Sequence, residues 1–137
     1  MSGQDTGTEV LTKLLSTIGY QAERLDDAVV QSSFSATSVF VQWYSSGSIQ
    51  LVAGWNEPPE SFDLGAANAF NAQYRFGSVS LDEDALTLQA NFFFDPAAPD
   101  AEDVLRKAVK TFEGLIQKLL AALEEAVSET RAEASGG

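Results

Sequence analysis

The chain contains no cysteine and no histidine. Those two absences exclude disulfides, Cys and His metal ligands, cysteine nucleophiles, and every Ser-His or Cys-His catalytic arrangement. Basic residues are also scarce: 8 Lys and Arg stand against 20 Asp and Glu, a net charge of −12. Nucleic acid is bound largely through basic groups on phosphates, so a nucleic-acid partner is not expected, and anionic membranes are disfavoured for the same reason. A basic or apolar protein partner is compatible with this charge. No run of about eighteen apolar residues is present, so no transmembrane helix is expected. The opening Met1-Ser2-Gly3-Gln4-Asp5 lacks the basic start and apolar stretch of a secretory signal, which points to the cytoplasm. The glycines are scattered (Gly19, Gly47, Gly54, Gly65 and Gly77 stand alone), so there is no phosphate-cradling loop. Paired carboxylates remain available in so acidic a chain, but no spacing singles out a pair, so an enzyme is not the expected reading and no cofactor is expected.

What is present is enough for one domain. The chain has 137 residues, of which 45% are apolar, so it can bury a core and is not expected to be disordered. Its best-marked stretch runs from Asp100 to about Val127. Leu105, Val109, Phe112, Ile116, Leu119, Leu123 and Ala126 recur at helical spacing, and Ala108, Leu115 and Ala122 widen the seam. Pro96 and Pro99 end whatever precedes it, Asp100 can cap its first turn, and Glu102 and Asp103 suit the positive end of its dipole. Beyond Val127 the seam fails, and residues 129–137 read as a frayed acidic tail.

The remaining segments follow in order. Residues 1–7 read as a flexible polar start. Thr8 precedes a short amphipathic helix, for which Gly19 is a C-terminal stop. Tyr20 to Asp27 reads as a link. Val29–Phe34, Ser38–Ser45 and Ile49–Trp55 read as three strands joined by short turns, hence an antiparallel meander. Pro58 and Pro59 end that run. The spacing of Leu64, Ala67, Phe70, Asn71 and Tyr74 predicts a second helix. Phe76–Leu81 and Leu86–Phe94 complete five strands. The expected class is α+β, a single five-stranded antiparallel sheet in the order α-β-β-β-α-β-β-α over residues 8–128. Its first and last helices should pack on one face.

That order resembles the YbjN-like family of bacterial sensory transduction regulators. The likeness also rests on Ala67-Asn68-Ala69-Phe70-Asn71-Ala72-Gln73-Tyr74-Arg75-Phe76 followed by Leu81-Asp82-Glu83-Asp84-Ala85-Leu86. Members of that family are similar in fold to type III secretion chaperones, with helices packed on a five-stranded antiparallel sheet. The resemblance implies a regulatory or protein-binding role, and no enzyme activity.

Four groups of residues invite a functional reading, each beside a plainer one. Asp82-Glu83-Asp84 is better read as an acidic hairpin turn than as a cation loop, because the glycine and distal Glu of an EF-hand loop are missing. Asn68 and Asn71 could hold a ligand. For Asn71 the plainer reading is a bond to backbone where the second helix meets the next strand. Trp43, Trp55, Phe92 and Phe94 fit one buried sheet face, whereas Phe40, Tyr44 and Phe93 point the other way and could form a partner-binding patch. Leu123 and Val127 lie near the end of a helix about 42 Å long, in a domain about 35–40 Å across. Apolar groups reaching past the sheet would be covered by a second copy, so a homodimer is expected. The sequence therefore favours a non-enzymatic protein-interaction module, chaperone-like or regulatory. A small-molecule-sensing domain is the alternative.

Overall fold

The computed structural model describes residues 3–82 and 85–135, with side chains described over 7–82 and 85–128. The first helix, α1 (Gly3–Thr17), is followed by four strands: β1 (Ala22–Arg24), β2 (Val29–Phe34), β3 (Thr37–Tyr44) and β4 (Ser48–Asn56). A short helix α2 (Leu64–Gln73), two strands β5 (Ser78–Asp82) and β6 (Ala85–Phe93), and the long helix α3 (Ala101–Ser135) complete the chain. The strands form one sheet in the order β1-β2-β3-β4-β6-β5, and every neighbouring pair is antiparallel.

The sheet is therefore six-stranded, not five-stranded, and the element order is α-β-β-β-β-α-β-β-α. The added strand is Ala22-Glu23-Arg24, inside the stretch expected to be a link. Three residues carry no alternation to read, so β1 owes its conformation to pairing with Val30–Ser32 of β2. The buried Ser32 hydroxyl donates to the Gln21 carbonyl beside it, and the Asp26 carboxylate accepts from the Ala28 and Val29 amides to turn the chain back.

Two boundaries also differ from expectation. Helix α1 begins at Gly3, so residues 3–7 are helical and not a loose start. Its first turns are held against the sheet: Gly7 lies so close to the Trp43 indole that a Cβ there would stand 2.2 Å from Nε1. The Thr8 hydroxyl donates to the Asp27 carbonyl. Helix α3 continues to Ser135, through most of the stretch expected to fray. Glu, Arg and Ala dominate Glu129–Ala134, and their strong helix preference carries the backbone on where the apolar seam has ended.

Other local signals act as the sequence implies. Gly19, at φ 99°, closes α1. The Tyr20 amide donates to the Leu15 carbonyl and the Gly19 amide to Ser16, the paired bonds of a Schellman cap. Asp63 caps α2 by accepting from the Ala66 amide at 2.9 Å.

The core lies between α1 and α3 and one face of the sheet. Leu11 and Leu15 of α1 and Leu105, Val109, Phe112, Ile116 and Leu119 of α3 are fully buried. They meet the alternate residues of β2, β3, β4 and β6, and both helices lie on that face as the periodicity predicts. An edge-to-face ring pair, Phe34 to Phe112 at 6.3 Å, joins the sheet to α3, and a second, Trp43 to Phe94 at 6.1 Å, packs the core at the end of β3 and β6. Trp43 and Phe94 are buried, and Trp55 and Phe92 pack against the same core while half-buried.

Candidate functional site

Because side chains alternate along a strand, burying one face of the sheet sends every second residue to the other. That second face carries no buried residue in any described strand. On it stand Phe40 of β3, 42% exposed, and Phe93 of β6, 90% exposed. Tyr44, half-buried, is on the same face, so the structure brings Phe40, Tyr44 and Phe93 together on one surface.

Their arrangement follows from the strand register. Tyr44 pairs with Ser48, which pairs with Phe93, so the three form one row across β3, β4 and β6. Phe40 pairs with Val52 and Val52 with Gln89, a second row four residues along the strands. Midway between them runs an all-amide row, Gln42–Gln50–Asn91. The Tyr44 hydroxyl donates to Gln50 Oε1 at 3.2 Å, and the Gln50 amide donates to Gln89 Oε1 at 3.3 Å. Val52 and the amide row are parts of this surface that the aromatic signal alone missed. They could have been found by noting that alternate positions of three adjacent strands, Gln42, Gln50, Gln89 and Asn91 among them, are polar yet uncharged.

Leu123 and Val127 are elsewhere. They line a groove of about 720 Å³ between the end of β4 and the far half of α3, together with Leu120, Trp55, Pro58 and Pro59. Glu57 and Glu124 also line it, so an apolar floor carries acidic groups. The two prolines that end the meander thus form one wall, and Trp55, expected as core, another.

The asparagines separate. Asn71 is committed to backbone: its amide donates to the Val79 carbonyl at 2.9 Å and its Oδ1 accepts from the Val79 amide at 2.7 Å. That two-point pairing imitates one rung of a further strand on β5, the outer strand at that side of the sheet. Asn68, one helical turn earlier, is exposed. Of the Asp82-Glu83-Asp84 turn, Glu83 and Asp84 lie outside the described residues. Among the described residues no group of three or more Asp or Glu side chains is placed to hold a metal ion.

One half-buried polar cluster joins α3 to the segments that flank the sheet. Tyr20 donates to Glu113 Oε1 on α3, and Ser35, in the β2–β3 turn, donates to Oε2 at 3.2 Å. Burial pushes the Tyr20 phenol up to about 12, with the hydrogen bond to Glu113 and the carboxylate's charge adding and Arg106 opposing. The phenol is therefore a neutral donor that ties α3 to the sheet.

Among the described residues, no helix is long and apolar enough to cross a membrane. The crystal structure of YbjN from E. coli, described as a putative transcription regulator, superposes with a TM-score of 0.65 at 14% identity, covering 89% of this chain and 92% of that one. The heterodimeric ExoU–SpcU complex from the type III secretion system of Pseudomonas aeruginosa contains a chain matching with a TM-score of 0.56 at 16% identity, over 84% of this chain and 98% of that one. A chain of the ExsC–ExsE complex matches with a TM-score of 0.53 at 16% identity, over 90% and 92%. No curated protein matches the sequence. Residues 8–125 match the profile of the YbjN family, whose description is "putative bacterial sensory transduction regulator". With that match running from α1 into the last third of α3, the chain belongs to the YbjN family.

Proposed function

We propose that this protein is a non-enzymatic interaction module, chaperone-like or regulatory, which acts in the cytoplasm as a homodimer. The observation that carries this reading is the uncovered sheet face, where Phe93 and Phe40 are held in water at 90% and 42% exposure. A monomer rarely leaves large rings out on a rigid face without a use for them. The groove holding Leu123 and Val127 is a second apolar surface, and its acidic members Glu57 and Glu124 suit a partner with basic groups. Two of the structures sharing this fold are themselves protein complexes, and this chain is read as binding protein in the same general manner. Nothing in the reading requires a cofactor. Sedimentation equilibrium at micromolar concentration tests it: a species of twice 14.7 kDa is expected, and a monomer at every concentration would defeat the homodimer.

A further inference from the structure

We infer that the uncovered sheet face is where a second copy of this chain docks, on a two-fold axis lying along the Gln42–Gln50–Asn91 row. The inference rests on reading the protein as a homodimer and assigns the surface.

The first support is charge. One residue in five is charged, and acids outnumber bases by 20 to 8. Yet between Glu23 on β1 and Asp82 on β5, the outward positions of β2, β3, β4 and β6 carry no charged residue. They hold Gln, Asn, Ser, Thr, small or apolar residues, and the two phenylalanines with Tyr44. A basic partner would be attracted to acidic surface, which this molecule offers elsewhere. A second copy carrying the same −12 meets the opposite requirement, because its contact must keep carboxylates apart. This face satisfies that. Depletion of charge with enrichment of aromatics is also what marks the centre of protein–protein interfaces.

The second support is the layout. Rotation about an in-plane axis along the amide row reverses the strand direction and preserves position across the sheet. Phe40 of one copy then faces Tyr44 of the other, and the reciprocal contact forms automatically, as a two-fold interface requires. Phe93 faces Gln89, Val52 faces Ser48, and Gln42 faces its own equivalent. Each apolar row lies two residues, about 7 Å, from the axis, so the two rows exchange places under the rotation.

The third support is size. Strands β2, β3, β4 and β6, of 6, 8, 9 and 9 residues at roughly 3.3 by 4.8 Å each, give a charge-free face of about 500 Å². Two such faces bury about 1,000 Å², at the threshold for a specific contact and in the range of weak, transient interfaces. A weak dimer is the expected outcome.

Because the axis sets Gln42 against Gln42, charge of either sign at that position must repel its own copy. The test compares wild type, Gln42→Glu, Gln42→Lys and an equimolar mixture of the two variants by sedimentation equilibrium. Circular dichroism and thermal midpoints serve to check the fold. Self-association is expected to weaken at least about tenfold in each variant alone and to recover in the mixture. If a charge on this interior strand unfolds the sheet, Asn91→Asp and Asn91→Lys apply the same logic at the exposed end of the row. A folded wild type that stays monomeric removes the homodimer itself. A dimeric wild type whose variants also stay dimeric keeps the homodimer and overturns this surface. Opposite responses to the two charge signs also overturn it, by revealing a charged surface of the other copy at the contact.

Discussion

At the scale of single residues, two features set local stability. The β2–β3 hairpin turns through Ser35 and Ala36 at φ 51° and 63°, both in the left-handed region. A tight two-residue hairpin demands positive φ at both central positions, a role usually filled by Asn-Gly. A Cβ there costs about 1–2 kcal/mol per residue. Ala36→Gly should therefore raise the unfolding free energy by about 1 kcal/mol in urea titration, the steric relief outweighing glycine's greater unfolded-state freedom. The second feature is Tyr20. Its phenol sits at about 12 in the folded protein against 10.0 for the free side chain, so the folded state holds this proton more tightly. Its contribution is complete below pH 10 and is lost as pH rises through 12. Unfolding midpoints followed from pH 9 to 12 should fall more steeply for the wild type than for Tyr20→Phe, which has no proton to lose. Parallel curves would mean that this phenol is not linked to folding.

At the scale of elements, α3 is the member on which the sheet is assembled. Phe112 is fully buried in its middle and meets the Phe34 ring. Phe112→Ala should cost about 3–5 kcal/mol, read as a lowered denaturation midpoint at unchanged slope. A midpoint near wild type would show that the helix packs only loosely. This helix was legible in the sequence because its seam repeats over many turns. The meander and α2 were legible for similar reasons: alternation in β3 and β6, and proline, glycine and Asp63 marking ends. β1 was not, because its three residues become a strand only through pairing with β2. Residues 3–7 of α1 were not, because they are fixed by the fit of Gly7 against Trp43, a contact distant in sequence. The candidate surfaces were half legible. Alternation puts Phe40, Tyr44 and Phe93 outside, but only the register shows that they flank an amide row. Likewise, only the folded chain brings Trp55, Pro58 and Pro59 against Leu123 and Val127.

At the scale of the whole molecule, charge and shape oppose one another. The protein carries −12 per copy, so two copies repel at a distance, whichever surfaces they join. Helix α3, at 35 residues, is about 52 Å long and outreaches a domain about 35–40 Å across. Association must therefore draw on apolar and hydrogen-bonding contact sufficient to offset a diffuse repulsion. Salt separates the two contributions, because it screens distant charges while leaving close apolar contact intact. The screening length falls from about 10 Å at 0.1 M to about 3 Å at 1 M. If the interface were held by ion pairs, raising salt would weaken it. If it is the charge-free sheet face, no pair crosses the contact, and the only electrostatic effect left to screen is the repulsion. The dimer should then hold or tighten as sodium chloride is raised from about 0.05 to 0.5 M. Sedimentation equilibrium across that range decides the matter: a dissociation constant that rises with salt would place acidic groups of one copy against basic groups of the other, and with them a surface other than this face.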